Sequence, residues 1–370
     1  MNSPLPTHAY RQAGGRQAER AILVDVALRK KRIDPYDIAE LEALAKTAGA
    51  VAVGEITQSR ETPDIRYFIG EGKAAELKAL CASNKANLII FNADLSPSQT
   101  RNLQNELGIN VIDREGLILD IFAQHAHTRE GKLQVELAQD NYTLTHLSGK
   151  GIELSRLGGG IGTRGPGETK LEMDRRNIRK RVSQLKKELE EVRRHRGLRR
   201  ERRRQSRVSV AAIVGYTNAG KSTLLNTLTK AGVKAEDKLF ATLDPVTRIL
   251  KLPDNKEILL TDTVGFIQNL PHDLIEAFKA TLEEVTEADL LIHIVDISHP
   301  NFIEQINATY KVLEDLKAVT KPMLTVFNKI DRYVGDPKVL LKKYSPAVTI
   351  SALNGTGIED LTARITGLIK

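Results

Sequence analysis

Short apolar runs separated by stretches of helical length set the rhythm of this chain, and they do so in two blocks. In the first block the runs AILVDVAL, AVAVGEI, NLIIF and INVID alternate with stretches at 34–48, 72–83 and 97–107. Asp34-Pro35 and Ser96-Pro97 place an N-cap residue before a first-turn proline, and Gly49 fits a helix C-cap. The alternation predicts a small α/β domain over 20–113, after an N-terminal segment, 1–19, expected to be flexible. The second block, 207–370, carries the runs VSVAAIV, EILLTD, DLLIHIVD, MLTVFN and AVTI between helix-length segments. That pattern predicts a doubly wound, mainly parallel sheet with ligand loops at the carboxyl ends of its strands.

Between the blocks, over 114–206, the pattern is helical. One helix is expected from Arg114 to about Leu147, and a second from Glu168 to roughly Arg204. In the second, Ile178, Val182, Leu185, Leu189 and Val192 recur at 4-3-4-3 spacing, a coiled-coil seam. The stretch joining them holds six glycines within residues 158–167. Together these features predict a long antiparallel helical hairpin with a glycine-rich loop at its tip. Gly197 is expected to interrupt or fray the second arm.

Composition narrows the class. With 370 residues, 41% hydrophobic and 28% charged, the chain has the make-up of a folded globular protein. No apolar run approaches the ~20 residues that span a bilayer, so stable membrane insertion is not expected. The start of the chain has no apolar core of the signal-peptide kind. A single cysteine, Cys81, excludes an internal disulfide framework and points to a cytoplasmic setting. The net charge of +8 is concentrated: 175–207 holds 16 Lys/Arg and 4 Asp/Glu, a net of +12, so the rest is net −4. Such a block is either a solvated helix face or a surface for a polyanion. The absence of Trp argues against extensive base stacking.

The chemistry concentrates in the second block. Gly215-Tyr216-Thr217-Asn218-Ala219-Gly220-Lys221-Ser222 fits the phosphate-binding pattern G-x-x-x-x-G-K-[ST], after a strand and before a helix that includes Thr223. Its backbone N–H groups and the helix N-terminus suit phosphate oxygens. Lys221 is expected to neutralise the β- and γ-phosphates and Ser222 to ligate Mg²⁺. Asp262-Thr263-Val264-Gly265 ends the strand EILL, with Asp262 placed to hold Mg²⁺ through water and Gly265 to offer its N–H to the γ-phosphate. In Phe240-Ala241-Thr242, the Thr242 hydroxyl is the expected further Mg²⁺ ligand and γ-phosphate sensor, with Thr247 as its competitor. Asn328-Lys329-Ile330-Asp331 ends another strand. There the Asp331 carboxylate can accept from the two N–H donors that guanine offers and adenine lacks. Ser351-Ala352-Leu353 ends the last strand, where a backbone N–H can meet the guanine carbonyl. Gly70-Glu71-Gly72-Lys73 imitates a phosphate loop, but Ala74 follows the lysine, and the string reads as a turn into a helix. His125 and His127 stand two apart on an expected helix, where they do not face one another, and are read as ordinary helix positions.

The order and spacing of the phosphate-loop, Asp262–Gly265, Asn328–Asp331 and Ser351–Leu353 strings resemble the translation-factor class of GTPases. Phe266 stands where Ras-like proteins carry a water-orienting glutamine, so intrinsic hydrolysis is expected to be slow without help. The resemblance extends further. GYTNAGKSTL, LFATLDP, LLTDTVGFIQNLPHDLIEAFKATLEE, FNKID and SAL, with NLQNELGINVIDREGLILDIFAQHAHTREGKLQVELAQ and RLGGGIGTRGPGETKLEMDRR outside that block, are similar to HflX-type GTPases over nearly the whole chain. That resemblance implies an N-terminal α/β domain, a helical hairpin and a Ras-like GTPase domain. It implies Mg²⁺-dependent hydrolysis of GTP to GDP, with Lys221, Thr242, Gly265 and Asn218 as the catalytic candidates. It also implies binding to the large (50S) ribosomal subunit and its rRNA, in ribosome splitting, rescue or biogenesis. The alternative is a GTP-gated RNA-binding assembly factor in which hydrolysis only resets binding. Asn218 matches the asparagine that holds K⁺ in potassium-activated GTPases, which makes K⁺ a candidate second cation. Arg156, Arg164, Arg175, Arg176 and Arg179, in or beside the glycine loop, are the candidate RNA contacts. The protein is expected to act as a monomer. Many members of the family carry a further C-terminal domain, which this sequence does not show after the GTPase block.

Overall fold

The computed structural model describes residues 18–29, 33–147, 166–205, 208–230, 238–268 and 279–369. Most of the expected N-terminal segment and of the glycine-rich loop, with Arg156 and Arg164, lie outside these residues. The chain divides into two compact units, Met1–Gln124 with Leu133–Leu189, and His125–Lys132 with Glu190–Lys370. The architecture is mixed α/β with predominantly parallel sheets.

In the first unit, strands β1 (Glu19–Leu28), β2 (Ala50–Arg60), β3 (Leu88–Phe91) and β4 (Asn110–Ile112) form a parallel sheet in the order β2-β1-β3-β4. Helices α1 (Pro35–Ala48), α2 (Glu71–Ser83) and α3 (Pro97–Leu107) make the crossovers. The start signals act as expected. Asp34 accepts from the Tyr36 N–H, and Ser96 and Gln99 form a reciprocal capping box. Gly49 closes α1 in the left-handed conformation at φ 96°. Ile22, Val24, Ile89, Phe91, Leu77 and Leu103 fill the core. Gly70 caps α2, so the imitation phosphate loop is a turn into a helix. Cys81 is buried, and burial pushes its thiol up to about 11, which keeps it unreactive.

The helical region departs from expectation at two places. The stretch from Arg114 is not one helix but two, α4 (Arg114–His125) and α5 (Arg129–Leu147). The break comes from polar capping: Thr128 accepts from the Gly131 N–H, and the Asp244 carboxylate takes the N–H groups of His127 and Thr128. Gly197 does not interrupt α6 (Pro166–Gln205), which runs through it. A glycine costs about 1 kcal/mol in a helix interior, too little to stop a helix of this length. Within the first unit α5 and α6 are tied by Arg181, whose guanidinium meets Glu136 at 3.0 Å and Asp140 at 3.3 Å. The seam is visible in the burial of Leu185 and Leu189. Among the described residues no helix is long and apolar enough to cross a membrane.

In the second unit, β5 (Val210–Gly215), β6 (Val246–Lys251), β7 (Glu257–Asp262), β8 (Leu290–Asp296), β9 (Met323–Asn328) and β10 (Ala347–Thr349) form a sheet in the order β10-β9-β8-β5-β7-β6. All pairs are parallel except β6 with β7. Helices α7 (Lys221–Thr229), α8 (Lys279–Glu287), α9 (Phe302–Asp315), α10 (Lys338–Lys343) and α11 (Ile358–Leu368) complete it. The core holds Ile213, Leu225, Leu260, Ile292, Val326 and Leu361. β6 was not expected; it is an edge strand with mostly exposed or half-buried side chains, so its apolar signal is weak.

Candidate functional site

The site forms at the carboxyl ends of β5, β7, β8, β9 and β10. The turn from β5 into α7 needs backbone conformations that few side chains allow. Gly215 has φ 149°, and a Cβ there would stand 2.2 Å from the Ile294 carbonyl oxygen. Gly220 has φ 99°, and a Cβ there would stand 2.3 Å from Asn328 Nδ2. The N-terminus of α7 has no side-chain cap, which leaves its opening N–H groups to a phosphate.

Lys221 is buried under this loop, and its Nζ donates to the carbonyls of Tyr216 (2.7 Å) and Gly215 (3.2 Å). Burial lowers its pKa to about 8, against the opposing pull of Asp262. An anionic ligand would restore the full charge, so the ammonium is poised for phosphate.

Three oxygens converge beside it. Ser222 Oγ donates to Asp262 Oδ2 at 2.6 Å, lies 2.9 Å from Thr242 Oγ1, and Thr242 Oγ1 donates to the same carboxylate oxygen at 3.3 Å. Burial holds the Asp262 carboxyl above its ordinary range, and its Oδ1 is buried with no hydrogen-bond partner. Two hydroxyls and a carboxylate with an unused buried oxygen are a donor set suited to a hard divalent cation such as Mg²⁺. Thr247 is not part of it; its hydroxyl lies 2.9 Å from that of Thr261 across the β6–β7 pair.

Gly265 closes the phosphate side. A Cβ there would meet Thr217 Cα at 2.8 Å and Lys221 Nζ at 2.9 Å. Phe266 is fully buried and bonded to the loop through Thr217 N–H to Phe266 O (2.7 Å) and Phe266 N–H to Gly215 O (3.1 Å). It reaches no solvent and orients none. Phe240, Ala241, Thr242 and Thr223 line the cleft with Thr217 and Asn218. Thr263, buried, donates its hydroxyl to Ile213 O at 2.7 Å and serves the sheet, while Val264 is buried beside it.

The base side is built on Asn328. Its Nδ2 donates to Ala219 O (2.8 Å), and its Oδ1 accepts the Ala352 N–H (2.9 Å), so one side chain joins the phosphate loop to the last strand. That Ala352 N–H, a candidate for the guanine carbonyl, is used internally here. Lys329 Nζ spans Asn218 O (3.1 Å) and Asp296 (2.6 Å). Ile330 opens a 3-10 turn that carries Asp331 to the surface. Asp331 has its carboxyl lowered chiefly by the Ser351 hydroxyl, then by Arg332 and Lys329. Ser351 is buried and Leu353 exposed.

Sequence reasoning missed Lys238, which lines the cleft, and Asp296, the partner of Lys329. Neither sits in a recognisable string, so only the fold places them. His125 and His127 join no group of metal-ligating side chains among the described residues. Arg176 and Arg179 are exposed on α6, and Arg175 is half-buried.

A G-x-x-x-x-G-K-S turn between a strand and a helix of a mainly parallel sheet, with two hydroxyls and a buried carboxylate beside it and Asn328–Asp331 at a neighbouring strand end, is the arrangement of a P-loop GTPase. Comparison with known proteins agrees. Family models described as GTP-binding GTPase N-terminal, GTP-binding GTPase middle region and 50S ribosome-binding GTPase match residues 36–123, 125–203 and 210–329. GTPase HflX of Caldanaerobacter subterraneus is 51% identical over 95% of this chain and 80% of its own length. GTPase HflX of Escherichia coli is 46% identical over 94% and 83%. A crystal structure of SsGBP in complex with GDP is 27% identical, with a TM-score of 0.51 and coverage of 95% of this chain and 98% of that one. The chain belongs to the HflX family of GTPases. It is accordingly an enzyme that binds GTP and GDP and hydrolyses the former.

Proposed function

We propose that this GTPase binds the large ribosomal subunit through its rRNA, that nucleotide state controls the affinity, and that it acts in splitting or rescuing ribosomes. What supports this is the pairing, in one chain, of the phosphate-loop, Asp262–Gly265 and Asn328–Asp331 strings with an arginine-rich helix. The match of 210–329 to a family described as 50S ribosome-binding GTPase supports the choice of partner. Arg164 in the glycine loop, with Arg156, Arg175, Arg176 and Arg179 beside it, are the proposed RNA contacts. The proposed setting is cytoplasmic and the proposed working form a monomer.

At the nucleotide, Lys221 would leave the two loop carbonyls for the β- and γ-phosphates, and Gly265 would offer its N–H to the γ-phosphate. Ser222 and Thr242 would hold Mg²⁺ directly, and Asp262 would hold it through water. Bound there, Mg²⁺ supplies positive charge to the phosphate oxygens. Asp331 would accept the paired N–H donors of guanine. Because Phe266 is buried, help with the attacking water must come from elsewhere, and Asn218 makes K⁺ the proposed helper. Hydrolysis should therefore run faster in K⁺ than in Na⁺ at equal ionic strength, and Asn218→Ala should erase the difference; equal wild-type rates would leave the ribosome as the sole source of help.

The test of the proposal is sedimentation with ribosomal subunits in the GTP-analogue, GDP and apo states. Co-sedimentation with the large subunit should be strongest with the analogue; binding that ignores the nucleotide would overturn the gating. The reading in which hydrolysis only resets an RNA-binding factor predicts that a non-hydrolysable analogue supports a single round of splitting as well as GTP.

A further inference from the structure

Asp244 follows Thr242 by two residues, yet its carboxylate serves a different element. Its Oδ2 accepts the backbone N–H groups of His127 and Thr128, both at 2.9 Å, and its Oδ1 accepts the Thr128 hydroxyl at 2.5 Å. Thr128 in turn caps α5, accepting the Gly131 N–H at 3.0 Å. The carboxylate thus sits at the positive end of a 19-residue helix, where an anion is favoured. Gly131 makes the approach possible: a Cβ there would stand 2.4 Å from Asp244 Oδ1 and 3.3 Å from its Cγ.

The segment before Asp244 is shaped to transmit that anchorage. Phe240 is held in the left-handed region at φ 57° and is 2% exposed, and Leu243, between the two key residues, is also 2% exposed. Thr242 faces Ser222 and Asp262 at one end, and Asp244 is fastened to α5 at the other. Two residues span at most about 7 Å, so fixing Asp244 removes most of the freedom of Thr242. The start of α5 is itself held: Glu130 pairs with Arg196 of α6, whose guanidinium also lies 3.8 Å from Glu283 of α8.

We propose that Asp244 is a positioning residue for GTP binding and hydrolysis: seated on the N-terminus of α5, it holds the segment so that the Thr242 hydroxyl faces the cation cradle. The proposal rests on Thr242 being the threonine that senses the γ-phosphate. A segment already ordered pays less entropy when GTP draws Thr242 in. GDP has no γ-phosphate for Thr242 to sense, so the demand on Thr242 is greatest with GTP and the effect falls chiefly on the GTP form.

The full-length chain with Mg²⁺ provides the test, through its affinities for a non-hydrolysable GTP analogue and for GDP and its single-turnover hydrolysis rate. Asp244→Ala should weaken analogue binding and slow hydrolysis about tenfold, the scale of one charge-assisted hydrogen bond, with GDP affinity within about twofold of wild type. Gly131→Ala should do the same while residue 244 stays an aspartate, because the new methyl pushes the Asp244 carboxylate off its seat. A parallel loss of analogue and GDP affinity, or no loss of either, would reduce Asp244 to a structural residue and overturn the proposal. Thr242→Ala separates the two levels. If it lowers the analogue-to-GDP ratio and Asp244→Ala does not, only the positioning role fails. If Thr242→Ala leaves the ratio unchanged, the assignment of Thr242 fails, and the positioning role fails with it.

Discussion

In the proposed site, base choice turns on one exposed carboxylate. Asp331 is kept ionised by the Ser351 hydroxyl and by the charges of Arg332 and Lys329, and so offers acceptors only. Asp331→Asn should exchange guanine preference for xanthine, since an amide donates where the carboxylate accepted; competition between GTP, XTP and ATP would show it, and a wild type that binds ATP as tightly as GTP would remove the assignment. A second single-residue effect lies deeper. His293 on β8 is 1% exposed, packs edge-on against Tyr310 with ring centroids 5.7 Å apart, and has its pKa lowered to about 4 by burial first and then by Lys221. The unfolded chain takes a proton at this residue near pH 6.5, whereas the folded chain resists until about pH 4. Stability from this group is therefore full above pH 6.5 and lost as pH falls towards 4, by on the order of 3 kcal/mol. In denaturant titrations from pH 7 to 4.5, His293→Phe should lose less stability than wild type over this range, by about 1.4 kcal/mol per pH unit once below 6. Parallel curves for the two proteins would show that His293 does not titrate on unfolding.

At the level of elements, the strands that carry the nucleotide strings were legible because each is a short apolar run ending in polar residues with a defined chemical use. The two crossover helices opened by N-cap and proline pairs were legible for the same local reason. What escaped the sequence depends on partners far along the chain. The break between α4 and α5 is made in part by Asp244, more than 100 residues away, and nothing between Ala126 and Thr128 is a strong breaker. Lys238 and Asp296 reach the site only because the sheet order brings their strand ends and loops together. The edge strand β6 hides because one partner and solvent exposure relax the demand for apolar residues. Gly197 shows the opposite error, a local signal overruled by its helix. It is exposed, and a Cβ there would meet nothing within 4 Å. Gly197→Ala should therefore stabilise α6 by up to about 1 kcal/mol, read as a raised midpoint in chemical denaturation; an unchanged or lowered midpoint would mean that the glycine serves something other than the helix.

Over the whole molecule, charge and nucleotide chemistry occupy different stretches of chain, and this separation is what makes the proposed function testable in parts. The segment 175–207 carries net +12 while the remainder is net −4, so attraction to a polyanion is concentrated there. The loop Gly158–Gly167 carries Arg164 and no nucleotide string. Deleting that loop, or replacing Arg164 with Glu, should leave GTP and GDP affinity nearly unchanged and abolish splitting of ribosomes into subunits. Neutralising Arg193 and Arg194, both exposed on α6, should act differently. Binding to the large subunit should weaken, and the plot of log affinity against log salt should flatten by about 0.7–0.9 for each phosphate that is no longer neutralised, because fewer counterions are released. The physical distinction is between shape and charge: in the proposed function the glycine-rich stretch enters a confined RNA site, whereas an arginine surface supplies attraction that salt screens. The two sets of variants should therefore diverge in a splitting assay at low salt, where charge-neutralised protein regains binding and splitting while loop-deleted protein binds and fails to split. If the loop deletion splits ribosomes as well as wild type, the loop is a connector, and the work of splitting has to be sought in the remainder of the chain.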